Sequence, residues 1–256
     1  AFTAVQSHVD VVGGGDSAID ASRIARRLGA ENVTILYRRT RSEMPTNPIE
    51  IHEAEVEGNQ VEFLANIEGI RKVGEKLEID VRKMRLGAFD TSGRRRPEPI
   101  PEGIDTRKVD NVILAIGQTT DIEDIVNSTE GLEATDRGGL RAEAKTGKTS
   151  RDDVFAGGDL VWGAATVVEA IQAGQIGARS IDQHFNPDPD RTYVWEDMAL
   201  PDVEVDVDAE VDEQAPAEPP LLTPNERLVS VEVERSITGP EARREARRCL
   251  RCDYKE

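Results

Sequence analysis

The sequence predicts an α/β fold, a doubly wound and mostly parallel sheet. Three observations carry that prediction: an apolar run that meets three glycines, a helix-period segment after them, and a second apolar run. Val9 to Val12 reads as a strand and reaches Gly13-Gly14-Gly15. Asp16 to Leu28 then has the period of a helix, with Ile19, Ile24, Ala25 and Leu28 inward, and Gly29 as its stop. Val33 to Tyr37 is the second strand. A strand, a glycine turn, a helix and a strand in so short a span form a parallel unit, which needs a right-handed crossover.

Asp10 interrupts the first apolar run, so that strand is expected to begin at Val11. Pro45 and Pro48 break the chain, Ile49 to Gly58 reads as a short acidic helix, and Val61 to Leu64 as another strand. Leu77, Ile79 and Val81 alternate ahead of a turn at Asp90 to Gly93, the pattern of a hairpin, and Val109 to Ile116 reads as a buried strand ending at Gly117. Past turn signals at Gly131 and Gly138-Gly139, Asp153 to Ala156 is expected as a short strand that opens on Gly157-Gly158-Asp159. Ala164 to Phe185 then reads as one long helix. Glu196 to Pro220 is rich in Asp, Glu, Val, Ala and Pro without a helical period, the composition of a solvated linker, and order resumes from Glu226 with a helix from about Pro240.

These segments divide the chain into a nucleotide-binding domain over 1–117 with a small antiparallel excursion, a second piece over 118–190, an acidic linker over 191–222 and a helical tail over 223–256.

At 256 residues and 38% hydrophobic content a core is affordable, while a net charge of −18 argues against a nucleic-acid or anionic-membrane partner. Lys fills only 7 of 32 basic positions against 50 acids. Such a surface suits a salt-rich cytoplasm, where screening removes self-repulsion, and an acidic tail that inflates the total is the alternative. No run is long and apolar enough to span a membrane, and Ala1 to His8 lacks the plan of a secretory signal, so a cytoplasmic location is expected. The chain begins without Met, which points to a fragment or a processed chain. His8, His52 and His184 are scattered, so a histidine metal site is not expected.

Gly13, Gly15 and Ala18 form a G-x-G-x-x-A dinucleotide fingerprint, with Gly14, Asp16 and Ser17 between them. The first glycine permits the tight turn, the second lets a pyrophosphate approach the backbone, and the small third residue lets helix and strand pack closely. The helix N-terminus faces the phosphates with free N–H groups. The strand before and the helix after supply the context that the motif requires. The domain is therefore Rossmann-like. After the second strand, where a carboxylate would bind the ribose of NAD, stand Arg38 and Arg39, with Arg41 following. Guanidinium groups there match a 2′-phosphate and favour NADPH over NADH; a solvated basic turn is the plainer alternative.

The run VVGGGDSAIDASRIARRLGAENVTILYRRTRSEMP resembles the NADPH domain of the glutamate synthase small subunit and its relatives. Thr149-Ser150, Val154 to Asp159 and Ala164-Ala165-Thr166 resemble the C-terminal flavin motif of that family. The resemblance implies an FAD-linked oxidoreductase in which hydride passes from NADPH to the flavin and electrons leave toward an iron–sulfur or protein partner. It implies that Asp159, after Gly158, bonds a ribityl hydroxyl of FAD, that Ala165, Thr166 and Val167 face the flavin ring, and that Gly117 lines the cofactor site. It also implies a preceding segment with the FAD fingerprint, so that 118–190 is the C-terminal part of an FAD-binding domain. The end of the chain, EARREARRCLRCD, is similar to a tail beside iron–sulfur sites. Cys249 and Cys252 have ligand spacing, but two thiolates cannot complete a four-cysteine set. A 4Fe-4S cluster shared with a partner, a thiol–disulfide pair and an inert remnant stay open. Two rival functions remain: a module that holds NADPH without a redox step of its own, and a thioredoxin-reductase-like enzyme, disfavoured because its cysteine pair lies beyond the acidic linker.

Overall fold

The computed structural model describes residues 6–90, 93–188, 191, 193 and 215–247. They group into two compact units. The first takes the described residues up to Ile116 together with 215–247; the second starts at Gly117.

In the first unit a parallel sheet carries β1 (His8–Val12), β2 (Asn32–Tyr37), β3 (Gln60–Phe63) and β7 (Asn111–Leu114), in the order β3-β2-β1-β7. The central strands bury apolar side chains on both faces, Val9, Val11, Val33 and Ile35 on one and Val12 and Leu36 on the other, because both faces are covered. On one side, helix α1 (Asp16–Arg27) packs Ala18 and Ala25 with Val9, Val11 and Val33. On the same side Ile19, Ile35 and Tyr37 meet Ile51 and Ala54 of α2 (Pro48–Val56), which Asn47 caps by accepting the Ile49 N–H. The other face is closed by a sheet instead of a helix. Strands β4 (Ala65–Val73), β5 (Lys76–Phe89) and β6 (Arg95–Val109) run antiparallel in the order β4-β5-β6. Their Ala65, Ile79, Val81 and Val109 bury Leu36. The expected hairpin is thus two strands of a three-stranded layer, and each apolar side chain it buries contributes about 1.5 to 3 kcal/mol.

Asp10 does not delay the first strand. It lies within β1 at 4% exposure, where it pairs with both neighbouring strands. Arg107 on β6 donates to its Oδ2 from Nε (2.9 Å) and Nη2 (2.7 Å), and to Glu62 of β3 from Nη1 (2.8 Å). Burial pushes the Asp10 carboxyl above its ordinary value against the pull of Arg107. The segment from Val109 to Ile116 is not one buried strand either. Val109 closes β6, β7 begins at Asn111, and because β7 edges the sheet Leu114 and Ile116 are exposed. In α1 the fully buried positions are Ala18, Ile19, Ser22 and Ala25, while Ile24 and Leu28 are half-buried. Gly29, at φ +105°, ends that helix in the left-handed region.

The tail folds onto the same unit, and its order begins ahead of residue 223. Leu222 N–H donates to Val233 O and Arg235 N–H to Pro220 O, around a bridge between Leu221 and Glu234. Arg227 is buried there and donates from Nη1 to Glu53 (2.6 Å) and Glu57 (3.0 Å). Glu57, just past α2, also receives Arg23 and Arg27 of α1. One carboxylate therefore ties α1, α2 and the tail. Helix α6 (Gly239–Arg247) follows a capping box of Thr238 and Glu241. Most of the acidic linker, and Cys249 and Cys252, lie outside the described residues.

The second unit holds α3 (Glu123–Ser128), α4 (Asp159–Trp162) and α5 (Val167–Phe185). In place of the strand expected at Asp153 to Ala156, Phe155 makes an isolated bridge to Lys148. The long helix starts at Val167, not Ala164, because Thr166 and Glu169 close a capping box at that point.

Glu57 gives a stability test. Burial pushes its carboxyl up, but the guanidinium bonds of Arg27, Arg227 and Arg23 outweigh this and hold it below its ordinary value of 4.5. Its stabilisation is therefore complete above that value and lost as pH falls through the lower folded value. Glu57→Ala should cost about 3 to 5 kcal/mol, because it leaves buried guanidinium groups without their shared partner. Urea midpoints measured between pH 7 and pH 3 should show the loss, and the variant should show a shallower pH dependence than the parent.

Candidate functional site

The three glycines after β1 do three different things. Gly13 sits at φ +144°, and a Cβ there would lie 2.2 Å from the Ala115 carbonyl oxygen, so backbone meets backbone at the carboxyl edge of the sheet. Its N–H donates to Leu36 O at 3.0 Å. At Gly14 a Cβ would lie 2.3 Å from the ring of Tyr37, whose hydroxyl is held by Glu43 O at 2.7 Å. Gly15 is the opposite case. Nothing lies within 4 Å of where its Cβ would be, its backbone is extended (φ −94°, ψ 176°), and α1 begins on it without a side-chain cap.

An open position at an uncapped helix N-terminus is the shape that a pyrophosphate needs. Ala18, at 0% exposure, takes the close-packed third position of the motif. Asp16 and Ser17 are exposed on the first turn, and Asp16 Oδ1 accepts the Thr46 hydroxyl at 2.7 Å. The residues fit a dinucleotide.

The structure separates the two arginines after β2. Arg38 is exposed and has no side-chain partner among the described residues. Arg39 is 5% exposed and donates to Asp90 Oδ2 (2.8 Å) and to the Arg95 carbonyl (2.7 Å). Arg41 is bonded to Glu55 and lies over the Phe63 ring, 5.6 Å from its centroid.

In the second unit Gly117 and Gly158 have positive φ, +97° and +65°. Gly158 turns the chain into α4, whose first residue is Asp159, exposed and without a side-chain hydrogen bond among the described residues. A groove there is lined by Gly158, Asp159, Ala165, Thr166, Val167 and Ala170. Gly157 closes its floor: a Cβ there would lie 2.9 Å from the Ala173 Cβ. Thr166 has a local duty, since its hydroxyl donates to Glu169 Oε2 (2.7 Å) and accepts the Glu169 N–H (3.3 Å). The hydroxyl belongs to the cap, while Ala165 and Val167 are exposed beside it. A free carboxylate at a groove floored by small residues, next to the start of a 19-residue helix, fits the ribityl chain and ring of a flavin.

The sequence pattern described as pyridine nucleotide-disulphide oxidoreductase matches residues 2–174 of the 256. The chain belongs to that family. The chain is similar to the beta subunit of the NADP(+)-dependent formate dehydrogenase of Moorella thermoacetica, 38% identical over 95% of this chain and 35% of that one. It is similar also to the beta subunit of the NADPH-Fe(3+) oxidoreductase of Geobacter sulfurreducens (33%; 98% and 42%) and to the NADPH glutamate synthase small chain of Azospirillum brasilense (39%; 70% and 37%). The expected likeness to the glutamate synthase small subunit is thereby borne out. The chain spans between a third and a half of the length of these relatives. The fold is shared with FprA of Mycobacterium tuberculosis, solved with NADPH (17% identical, TM-score 0.55, 71% of this chain and 53% of that one). It is shared with the thioredoxin reductase of T. acidophilum as well (20%, 0.52, 68% and 51%). All three relatives carry NADP(+) or NADPH in their names. Among the described residues no helix is long and apolar enough to cross a membrane, and no His, Cys, Asp and Glu group could hold a metal ion.

Three residues with defined duties escaped the sequence reading. Asp90 reads in sequence only as the start of a turn, and Arg107 and Arg227 carry no local motif at all. Only the fold brings each to its partner.

The glycines separate stability from binding. Gly13→Ala should lower the melting temperature, because it places a methyl against backbone at a strained φ. Gly15→Ala should leave the melting temperature unchanged and weaken NADPH about tenfold or more, about 1.4 kcal/mol, by filling the cradle. Calorimetric titration beside thermal melts of both variants checks the contrast.

Proposed function

We propose that this oxidoreductase takes hydride from NADPH to a bound FAD and passes the electrons to a partner subunit. The observation that carries the reading is the open Gly15 position at the uncapped start of α1, followed at the end of β2 by an exposed arginine. In this reading Gly13, Gly14 and Gly15 bring the backbone to the pyrophosphate, and the first-turn amides of Asp16 and Ser17 face its charge. Ala18 lets α1 stand close enough for that. Arginine after β2 selects the 2′-phosphate. Asp159 accepts from a ribityl hydroxyl, and the start of α5, with Ala165, Thr166 and Val167 around it, offers N–H groups and the positive end of a helix dipole to the flavin ring. Gly117 gives the turn into the second unit. FAD, when bound, supplies the conversion between two-electron hydride transfer and one-electron release.

A partner is supported by two relatives that are named as beta subunits. Cys249 and Cys252 have the spacing of ligands, and a 4Fe-4S cluster would draw its remaining thiolates from elsewhere. The acidic chain, with no apolar span among its described helices, suits the cytoplasm.

The test is an absorption spectrum of the purified full gene product before and after NADPH. Visible flavin bands that bleach on addition support the reductase. An Asp159→Ala variant should retain flavin about tenfold more weakly, the loss of one hydrogen bond to a charged group. A parent protein that holds no flavin yet binds NADPH would reduce the function to nucleotide binding.

A further inference from the structure

The end of β2 and the tip of the β5–β6 hairpin form one structure. Phe89 and Arg95 are the last pair of that hairpin, and its tip is closed by the Asp90 N–H on Arg94 O (2.7 Å) and the Gly93 N–H on Asp90 O (3.1 Å). Asp90 has a duty on each carboxylate oxygen. Oδ1 accepts the Arg94 N–H at 3.2 Å, which holds the turn, and Oδ2 accepts Arg39 Nη2 at 2.8 Å. Arg39 Nε is taken by the Arg95 carbonyl of the same hairpin. The Arg39 side chain is 6% exposed and its backbone carbonyl accepts the Leu64 N–H, so both its ends are fixed. A guanidinium so enclosed is not free to meet a ligand phosphate. Its neighbour Arg38, on the same turn, is exposed and unpartnered among the described residues.

We propose that Asp90 is a specificity-determining positioning residue. It holds Arg39 as a buried strut beneath the turn, and the turn in consequence presents Arg38 alone to the 2′-phosphate of the nucleotide. The hairpin, remote in sequence from the glycine motif, thereby carries part of the choice between NADPH and NADH. Adenosine ribose binds at the carboxyl ends of the strands in such sheets, which is where this turn stands. The proposal rests on the NADPH reading above and assigns its selectivity to one arginine and one carboxylate instead of an arginine pair.

The experiment is calorimetric titration of the protein with NADPH, NADH and adenosine 2′,5′-bisphosphate, a readout that does not depend on turnover. Arg38→Ala, a change of an exposed side chain, should weaken NADPH and the bisphosphate about tenfold or more and leave NADH within about twofold, the loss of one charge-assisted bond. Asp90→Asn should narrow the NADPH-to-NADH preference about fivefold or more. Asp90→Ser keeps an acceptor for the Arg94 N–H and should do the same if the Asn variant fails to fold. The double variant with Arg38→Ala should lose no more than Arg38→Ala alone, since Asp90 acts through Arg38. Unchanged preference in the Arg38 variant, or in both Asp90 variants, overturns the proposal. An additive double variant also overturns it, because Asp90 would then act through another group. If the parent binds neither dinucleotide, the NADPH reading itself fails, an outcome distinct from a parent that binds both and a variant that discriminates normally.

Discussion

The first unit depends on one close approach, the contact of the Gly13 turn with the backbone at Ala115. The two strands that meet there, β1 and β7, are adjacent in the sheet and about a hundred residues apart in sequence. A side chain at position 13 would drive them apart, and the turn would no longer direct α1 across the sheet edge. The tight turn, the packing of Ala18 and the open space at Gly15 follow from that single constraint. Tyr37 adds a second one, because its ring lies where a side chain on Gly14 would have to go.

Charge is organised around the same frame. With 50 acids against 32 basic residues, carboxylates are abundant, and arginine works inside the fold as a connector. Arg107 reaches from the antiparallel sheet to Asp10 and Glu62 of the parallel sheet. Arg23, Arg27 and Arg227 converge on Glu57. Arg39 ties the end of β2 to the hairpin tip. In each case a planar guanidinium satisfies two or more acceptors, which a point-charged ammonium does less well, and its weaker hydration lowers the cost of burial. The exception at the end of β2 is Arg38. Its exposure stands out because the arginine beside it is enclosed.

Much of this architecture was legible in sequence because it is local. The glycine motif, the helix after it and the apolar strands on both sides each announce themselves within a dozen residues, and backbone sterics and periodicity translate them directly. The errors share a cause. Asp10 read as a break in a strand because its partner Arg107 lies on a different sheet. Val109 to Ile116 read as buried because apolar content does not reveal which strand edges a sheet. Ala164 and Ala165 read as helix on composition, whereas the capping box of Thr166 with Glu169 starts the helix after them.

The sequence by itself determined the glycine turn with the helix that follows it, the arginines at the end of β2 and the Gly158-Asp159 turn. Each rests on short-range backbone geometry or on the chemistry of one residue type. Tertiary structure alone decided which arginine is exposed, what covers the second face of the parallel sheet and where the tail docks. Those outcomes depend on which side chains, distant in sequence, arrive together, and a guanidinium becomes a strut or a free cation according to whether a carboxylate meets it.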